Sequence, residues 1–392
     1  MLLVPNLSMK INGFLVFLIG FLLVVLLTNL YYPLRYIKYL MPLAAMPIYF
    51  SYSRIKLSSP SSKYYFSILI FYVIIFLFLG TNDYLFSSLS SRYIPNVVFV
   101  LSPLLFLIFI QPLFKYELIK IYVLVIFYFN TLIFILTEGR DFVSLFSGSI
   151  SFSNALLASE FPTESNLAYV FGILLLFFIL ERYPFGYKLA ASILLILCFK
   201  RVVMGAFAIS FGMYWLSDLL KFNPRKYRFF LATVGVLINL LFVSFTSLIV
   251  KGEYDNYIYD KTGVSTDRLL MGRKSLYTIA FDQVGDDGWI GKGIGKVDDA
   301  IYSVYNLPIN LHSEILRNYL EFGIIIFTLW LFVIFYQNTF SIKSFSLFVY
   351  LNVLLLTDNV FIYFDIMFYF YFIILIFLHQ QEKQIEAQQS ES

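Results

Sequence analysis

The sequence contains little charge. Only 13% of its 392 residues are Asp, Glu, Lys or Arg, against roughly 25% in ordinary soluble domains. By contrast, 60% of the residues are hydrophobic. A soluble fold of this length could not bury so much apolar surface. The composition therefore excludes a cytosolic enzyme, an intrinsically disordered protein and a nucleic-acid-binding protein of the usual kind.

Cysteine and histidine are also scarce. Cys198 is the only cysteine, so an intramolecular disulfide is excluded. His312 and His379 are the only histidines, so no Cys/His metal set can form. The acidic pairs Asp286–Asp287 and Asp298–Asp299 could bind a divalent cation, but we interpret them as solvated loop charge. We expect neither a metal nor a cofactor.

Long apolar runs are abundant. A helix that spans a bilayer needs about 20 mostly apolar residues. The chain has twelve candidate runs: 12–29, 36–52, 64–80, 96–114, 120–137, 166–181, 187–199, 202–219, 229–250, 318–336, 344–358 and 363–379. Two closely spaced pairs leave ten to twelve spans. We predict an all-α polytopic membrane domain over 1–379, followed by a disordered cytoplasmic tail at 380–392.

The placement of Lys and Arg predicts the orientation. Of the 28 basic residues, fourteen lie in the short segments on one side of the predicted spans and six in those on the other. The remainder lie in or beside one long stretch, where the charge rule is weak. The excess of positive charge predicts that both termini are cytoplasmic.

Two loops on the predicted outer side are long, at 138–165 and 251–317. Loops of this length are often functional. In the second loop, the apolar spacing predicts a helix over Asp267–Val284, and Gly285–Gly295 is typical of a turn region. The Gly-x-Gly pattern there fits no phosphate-binding loop, so we prefer a backbone turn to a nucleotide site.

His312 is the first candidate for chemistry. It lies near the predicted outer surface, just before Glu314 and Arg317, which are three residues apart and can pair on a helix. Such a histidine could act as a general base or orient a hydroxyl. The alternative is a surface histidine capped by local charges. His379, at the end of the last span, is interpreted as an interface residue.

Basic residues form the second candidate group. Lys200 and Arg201 stand between two apolar runs, where charge is costly unless it faces a cavity or an anionic ligand. Arg268 and Arg273 lie five residues apart on the predicted loop helix. The planar fork of arginine suits phosphate oxygens. The group indicates a lipid phosphate or pyrophosphate, or alternatively basic side chains that contact phospholipid head groups.

Four elements between about 138 and 325 can be compared with a known family. Asn166 and Ala168 follow Pro162 near the start of a middle helix, although Pro162 and Asn166 are not adjacent as they are in the family motif. Lys200–Arg201 stands where a basic pair is frequent. The third element consists of Arg268 and Arg273, followed by the Gly-x-Gly turn. The fourth is His312 followed by Gly323, with Ser313 at a position where the family frequently has Asn. In this combination the chain resembles the O-antigen polymerase/O-antigen ligase superfamily of bacterial envelope proteins.

The resemblance implies a GT-C-like membrane glycosyltransferase of the bacterial inner membrane, with a periplasmic active site. Its donor would be an oligosaccharide on undecaprenyl pyrophosphate, and it would need no metal or nucleotide sugar. Membrane lipid and a chain-length regulator protein are the expected partners, and no nucleic acid is expected. A polymerase moves the growing glycan to the next lipid-linked repeat unit, whereas a ligase moves it to the lipid A core. We prefer the polymerase, because the extreme Phe, Tyr, Ile and Leu content suits its divergent members.

Two other classes remain as alternatives. A polysaccharide flippase or transporter is disfavoured, because no internal repeat is visible and the polar residues gather outside. A non-catalytic envelope scaffold would leave His312 and Lys200–Arg201 without a role.

The resemblance also implies roles for individual residues. His312 would activate the acceptor hydroxyl, and Glu314 or Arg317 would set its position. Arg273 would stabilise the leaving pyrophosphate, which would also be bound by the other basic residues of the set: Lys200, Arg201, Arg268 and Arg317. This hypothesis requires that His312 and the basic residues converge in space, because reacting groups must be held nearly in contact.

Overall fold

A computed structural model shows an all-helical protein. It describes residues 12–51, 59–86, 89–146, 165–270, 272–285 and 288–391. Within these ranges there are no strands, and the α-helices are α1 Gly13–Leu30, α2 Met41–Ser51, α3 Pro60–Phe86, α4 Tyr93–Ile110, α5 Ile119–Phe146, α6 Leu167–Leu180, α7 Phe185–Leu197, α8 Arg201–Leu219, α9 Arg228–Val250, α10 Asp255–Thr262, α11 Thr266–Leu269, α12 Lys274–Val284, α13 Lys296–Tyr305, α14 Glu314–Asn338, α15 Ile342–Thr357 and α16 Phe364–Glu391.

The predicted class of a polytopic helical membrane protein is confirmed. Eight of the described helices are long and apolar enough to cross a membrane, and α6, α7 and α15 are shorter apolar helices. Together with α2, they give one helix for each of the twelve predicted runs. Large apolar side chains such as Phe229 (70% exposed) and Leu241 (68%) cover the outside of α9, as a lipid-facing surface requires.

The centre of the bundle is formed by α6 and by the apolar part of α16. Nearly every residue of α6 is buried, and 78% of the apolar window of α16 is buried. A helix that is apolar on all sides belongs in the interior. Around this centre α6 packs on α7, α15 packs on α8, and α9 packs on α14.

The two ends of this central group carry different contacts. At one end Lys343 Nζ lies 2.8 Å from Glu181 Oε1, and Gln380 donates a hydrogen bond of 2.8 Å to Glu181 Oε2. At the other end Lys200 pairs with Asp358. From the first end, α6 and α15 extend only about 21–24 Å at 1.5 Å per residue. Both helices are therefore shorter than a bilayer core, which is about 30 Å thick.

The long loop after α9 is folded differently from the prediction. The single helix predicted over Asp267–Val284 is divided into α11 and α12, because Gly272 between them adopts a left-handed φ of 75°. Arg268 and Arg273 consequently belong to separate elements. In the other long loop, α5 continues to Phe146, and residues 147–164, which include Pro162, lie outside the described part of the chain.

The C-terminal segment also differs from the prediction. Instead of a disordered tail at 380–392, α16 continues to Glu391. Gln, Glu and Lys are good helix formers, and tertiary contacts hold the segment. The Ser61 N–H donates to Glu382 Oε1 at 2.9 Å, and Lys383 Nζ lies 3.8 Å from the centroid of the Tyr116 ring.

The glycine-rich segment pairs with a break in α14. Gly323 has a φ of 73° and interrupts the helix. The Gly291 N–H donates to Phe322 O at 3.0 Å, and the Gly293 N–H donates to Glu321 O at 3.1 Å. The segment thus satisfies carbonyl groups that the break releases, as a helix interrupted inside a membrane protein requires. A Cβ on Gly291 would lie 2.0 Å from Glu321 O, so only glycine allows this approach.

We expect Gly291→Ala to lower the melting temperature of the detergent-solubilised protein strongly, because the added methyl group overlaps the α14 backbone. Gly205→Ala is the matched control, since a Cβ added at Gly205 would project into open space and alanine favours the helix by about 1 kcal/mol. Equal melting temperatures for the two variants would contradict the close approach.

Candidate active site

Asp358 is the centre of a buried polar cluster at the end of α15. Its side chain is 9% exposed and lies 3.3 Å from Lys200 Nζ through Oδ2. The Tyr169 hydroxyl donates to the same oxygen, and the Asn359 N–H donates to Oδ1 at 2.8 Å. His312 Nδ1 lies 3.5 Å from Oδ1. The carboxylate is therefore contacted from several elements that are distant in the sequence.

Lys200 is held by the turn between α7 and α8. Phe199 in this turn has a left-handed φ of 50°, which directs the chain from one helix to the next. Lys200 Nζ donates to Asn166 Oδ1 at 3.0 Å and lies 4.3 Å from the centroid of the Tyr169 ring. These contacts compensate the desolvation of a charge that is only 8% exposed.

His312 lies in the segment that leads into α14. It has a left-handed φ of 59°, a conformation that costs about 1–3 kcal/mol for a residue other than glycine. Ser313 caps α14 by accepting a hydrogen bond from the Leu316 N–H, and the Glu314 N–H donates to Asp358 O at 3.3 Å. The ring is 40% exposed. With Nδ1 facing Asp358, Nε2 lies on the opposite edge of the ring.

The cluster compensates the burial of the Asp358 carboxylate. Lys200 supplies the opposite charge, and the Tyr169 hydroxyl and the Asn359 N–H donate hydrogen bonds to the two carboxylate oxygens. A carboxylate beside Nδ1 fixes the orientation of the imidazole ring.

The predicted site residues divide into two groups. Arg273 joins the cluster, because its Nη1 donates to Thr357 O at 2.7 Å, next to Asp358. Arg201 follows Lys200 directly and is exposed, as is Arg268 on α11. The structure therefore brings Lys200, Arg273 and His312 together and leaves two arginines exposed on the neighbouring elements.

Glu314 and Arg317 face the protein interior. The predicted pairing is confirmed, with Arg317 Nη1 at 3.6 Å from Glu314 Oε1. Arg317 also lies 3.7 Å from Glu321 Oε2 through Nε, and its side chain is only 5% exposed. This burial separates the Arg317 guanidinium from solvent, so it could contact a pyrophosphate only after a rearrangement.

Asp358 and Tyr169 were not predicted from the sequence. An ionisable residue between two apolar runs indicates a functional position, and this criterion, which selected Lys200, applies equally to Asp358. Tyr169 had no comparable signal within the apolar run of α6. Asn166, noted only as part of a motif, binds Lys200.

Comparison with known proteins gives no match to a protein-family model, to a curated protein or to a solved structure. Among the residues that the structure describes, no group of three or more His, Cys, Asp or Glu side chains is placed to hold a metal ion. Asp286 and Asp287 lie outside those residues. The fold and the cluster define the class: a polytopic helical protein with a charged site at one end of the bundle.

We expect Lys200→Met to destabilise the protein by about 3–5 kcal/mol, because it leaves Asp358 buried without its partner. The double variant Lys200→Met/Asp358→Asn should recover part of this loss of stability. Arg201→Met, at the exposed neighbouring position, should change stability by less than about 0.5 kcal/mol. Unfolding of all variants in detergent tests this. Equal effects at positions 200 and 201, or no recovery in the double variant, would show that the ion pair is unimportant.

Proposed function

We propose that this protein is a membrane glycosyltransferase that polymerises lipid-linked repeat units. It transfers the growing glycan from undecaprenyl pyrophosphate to the next lipid-linked repeat, at the periplasmic face of the bacterial inner membrane. The observation that carries the proposal is the convergence around Asp358 of one residue from each element of the family resemblance: Asn166, Lys200, Arg273 and His312.

His312 is the general base in this proposal. The acceptor hydroxyl oxygen attacks the anomeric carbon of the donor sugar and its proton moves to Nε2 of His312. The imidazolium that forms is stabilised by Asp358 through Nδ1. The bond between the anomeric carbon and the phosphate oxygen breaks, and undecaprenyl pyrophosphate leaves with the electron pair. Direct attack of this kind inverts the anomeric centre.

The leaving group gains charge as the bond breaks, so the site must supply cations. Arg273 lies at the cluster, and Arg201 and Arg268 are exposed on neighbouring elements. Preorganised cations in a partly desolvated site stabilise developing charge strongly. Lys200 is a positioning residue in this proposal. Its ammonium is already bound by Asp358 and Asn166, and it fixes the carboxylate that orients His312.

The short helices also support a lipid-linked substrate. Because α6 and α15 are shorter than a bilayer core, we infer that the cluster at their ends lies near the depth where a polyprenyl pyrophosphate head group meets the acyl region. The ligase is the second candidate, since it shares the donor and the chemistry and differs only in its acceptor, the lipid A core. A chain-length regulator would act with the polymerase.

The first test is a lipopolysaccharide ladder gel of a deletion strain that carries the wild-type or a variant gene. For His312→Ala and Asp358→Asn we expect a single repeat unit attached to core and no longer rungs. Loss of a general base typically lowers the rate by about 10²–10⁴-fold. His379→Ala is the matched control, because this second histidine lies on α16 and bonds Leu375 O instead. It should restore the full ladder.

Other outcomes distinguish the alternatives. Loss of every core-attached band, with accumulation of lipid-linked polymer, would identify a ligase. An unchanged ladder in the deletion strain would reject both glycosyltransferases and would favour a transporter or an envelope scaffold. Immunoblots of the membrane fraction must show equal amounts of each variant.

The proposed orientation is tested by cysteine labelling. Lys226 and Asp260 are exposed and lie beyond opposite ends of α9, and the native Cys198 is buried. A membrane-impermeant maleimide should label Asp260→Cys in cells with a permeable outer membrane, but Lys226→Cys only after the inner membrane is opened. The reverse pattern would place the site in the cytoplasm and contradict the proposal.

A further inference from the structure

A second ionic cluster lies inside the protein on α14. It consists of Glu314, Arg317 and Glu321, and we call it the α14 cluster. All three residues are buried, at 0%, 4% and 1% exposure. Two carboxylates share a single guanidinium here, at separations of 3.6 and 3.7 Å. If both carboxylates were ionised, the cluster would carry an uncompensated negative charge in a region buried from bulk solvent, which is costly.

Glu321 has the contacts of an ionised carboxylate. Its Oε1 accepts hydrogen bonds from the backbone N–H groups of Gly295, at 2.9 Å, and Val297, at 3.4 Å. These N–H groups form the start of α13, where the helix dipole favours negative charge. Charge-assisted bonds of this kind stabilise a carboxylate. Glu321 therefore retains its charge and pairs with Arg317.

Glu314 has the opposite environment. Neither of its carboxylate oxygens has a hydrogen-bond donor among the described residues, and the 3.6 Å separation from Arg317 is too long for a hydrogen bond. Arg317 Nε and Asn318 Nδ2, both buried, also have no acceptor within the described part of the chain. These groups line one small cavity together with Asn96 and Trp330, and its size suits a single water molecule.

We propose that Glu314 is a proton-binding site: it is a neutral carboxylic acid in the folded protein, bridged through one water molecule to Arg317 and Asn318. The proton removes the excess negative charge of the α14 cluster. The water accepts hydrogen bonds from Asn318 and the guanidinium, and it donates to the carbonyl oxygen of Glu314. This arrangement gives a partner to Asn318 Nδ2, to the Arg317 guanidinium and to the carbonyl oxygen of Glu314.

The charges that face Glu314 from other elements favour the proton. Asp298 on α13 accepts a hydrogen bond from Asn96, which lines the same cavity as Glu314, and Asp358 accepts the Glu314 N–H through its backbone oxygen. The Tyr72 side chain from α3 also faces the cavity. Among the described residues, Arg317 is the cation within ion-pair distance of Glu314, and it is shared with Glu321. The shared cation disfavours two ionised carboxylates, and the N–H groups that bind Glu321 leave Glu314 as the residue that holds the proton.

The proton site is next to His312 and Asp358, on the side that faces the protein interior. Glu314 follows His312 by two residues in the same backbone segment. The Glu314 N–H also donates to Asp358 O. Ionisation of Glu314 would add a negative charge close to His312 and Asp358. The inference does not depend on the proposed glycosyl transfer, because it rests on the composition and geometry of the α14 cluster alone.

The test is the stability of the full-length protein in detergent between pH 5 and 8. An unfolded glutamate ionises near pH 4.3, so unfolding of the wild type releases the Glu314 proton and its folding equilibrium falls up to tenfold per pH unit. Glu314→Gln has no proton to release. We therefore expect its melting temperature to rise relative to wild type as the pH increases. Glu253→Gln, an exposed glutamate of the same loop, should follow the wild-type profile.

Glu321→Gln separates the two buried carboxylates. It should melt below wild type at every pH, because it removes the ionised acceptor at the start of α13. Parallel pH profiles for wild type and Glu314→Gln would overturn the proposal, as would a pH-dependent gain for Glu321→Gln in place of Glu314→Gln.

Infrared spectroscopy provides a readout that does not depend on unfolding. At neutral pH the wild type should show the carbonyl band of a protonated, buried carboxylic acid. The band should disappear in Glu314→Gln and remain in the exposed control Glu253→Gln. If Glu314→Gln fails to fold, the wild-type spectrum still decides, since absence of the band would refute the proton site.

Discussion

The buried ion pair between Lys200 and Asp358 joins parts of the chain that would otherwise be independent. Each charge is less than one-tenth exposed, so each depends on the other to compensate its desolvation. The pair fixes the α7–α8 turn to the end of α15. Through Tyr169 it also fixes the start of α6, and through His312 the segment that enters α14. Correct placement of these elements is therefore coupled to one electrostatic contact.

The segment from His312 to Glu314 separates two ionic clusters with different access to solvent. On one side, His312 is partly exposed and contacts the ionised Asp358. On the other side, Glu314 is fully buried beside Arg317. Electrostatic interactions are strong where water is excluded, so charge on one side of this short segment acts on the other. The protein can thus combine an accessible base with a closed polar interior within a few residues.

The position of this segment depends in turn on the glycine-rich loop. Gly323 breaks α14, and the backbone of 288–293 supplies hydrogen bonds to the interrupted turn. Glu321 extends the same connection, because its side chain accepts the N–H groups at the start of α13. The long loop is therefore packed against the membrane bundle. Its glycines allow close backbone contact with α14, which agrees with the prediction of a backbone turn in place of a nucleotide site.

The sequence by itself determined the spanning elements, because the thickness and apolarity of a bilayer impose long apolar runs that are readable without tertiary information. It also marked Lys200, a charge between two apolar runs, and the loop residues Arg273 and His312, whose side chains suit phosphate binding and proton transfer. Only the tertiary structure decided that these residues meet at Asp358, that Arg317 is buried between two glutamates, and that Gly272 separates Arg268 from Arg273. Local composition reports hydropathy and turn preference, whereas contacts between distant helices depend on how their side chains pack. For that reason the apolar runs predicted the helices, eight of which are long enough to cross a membrane, whereas the partner of Lys200 was not predicted.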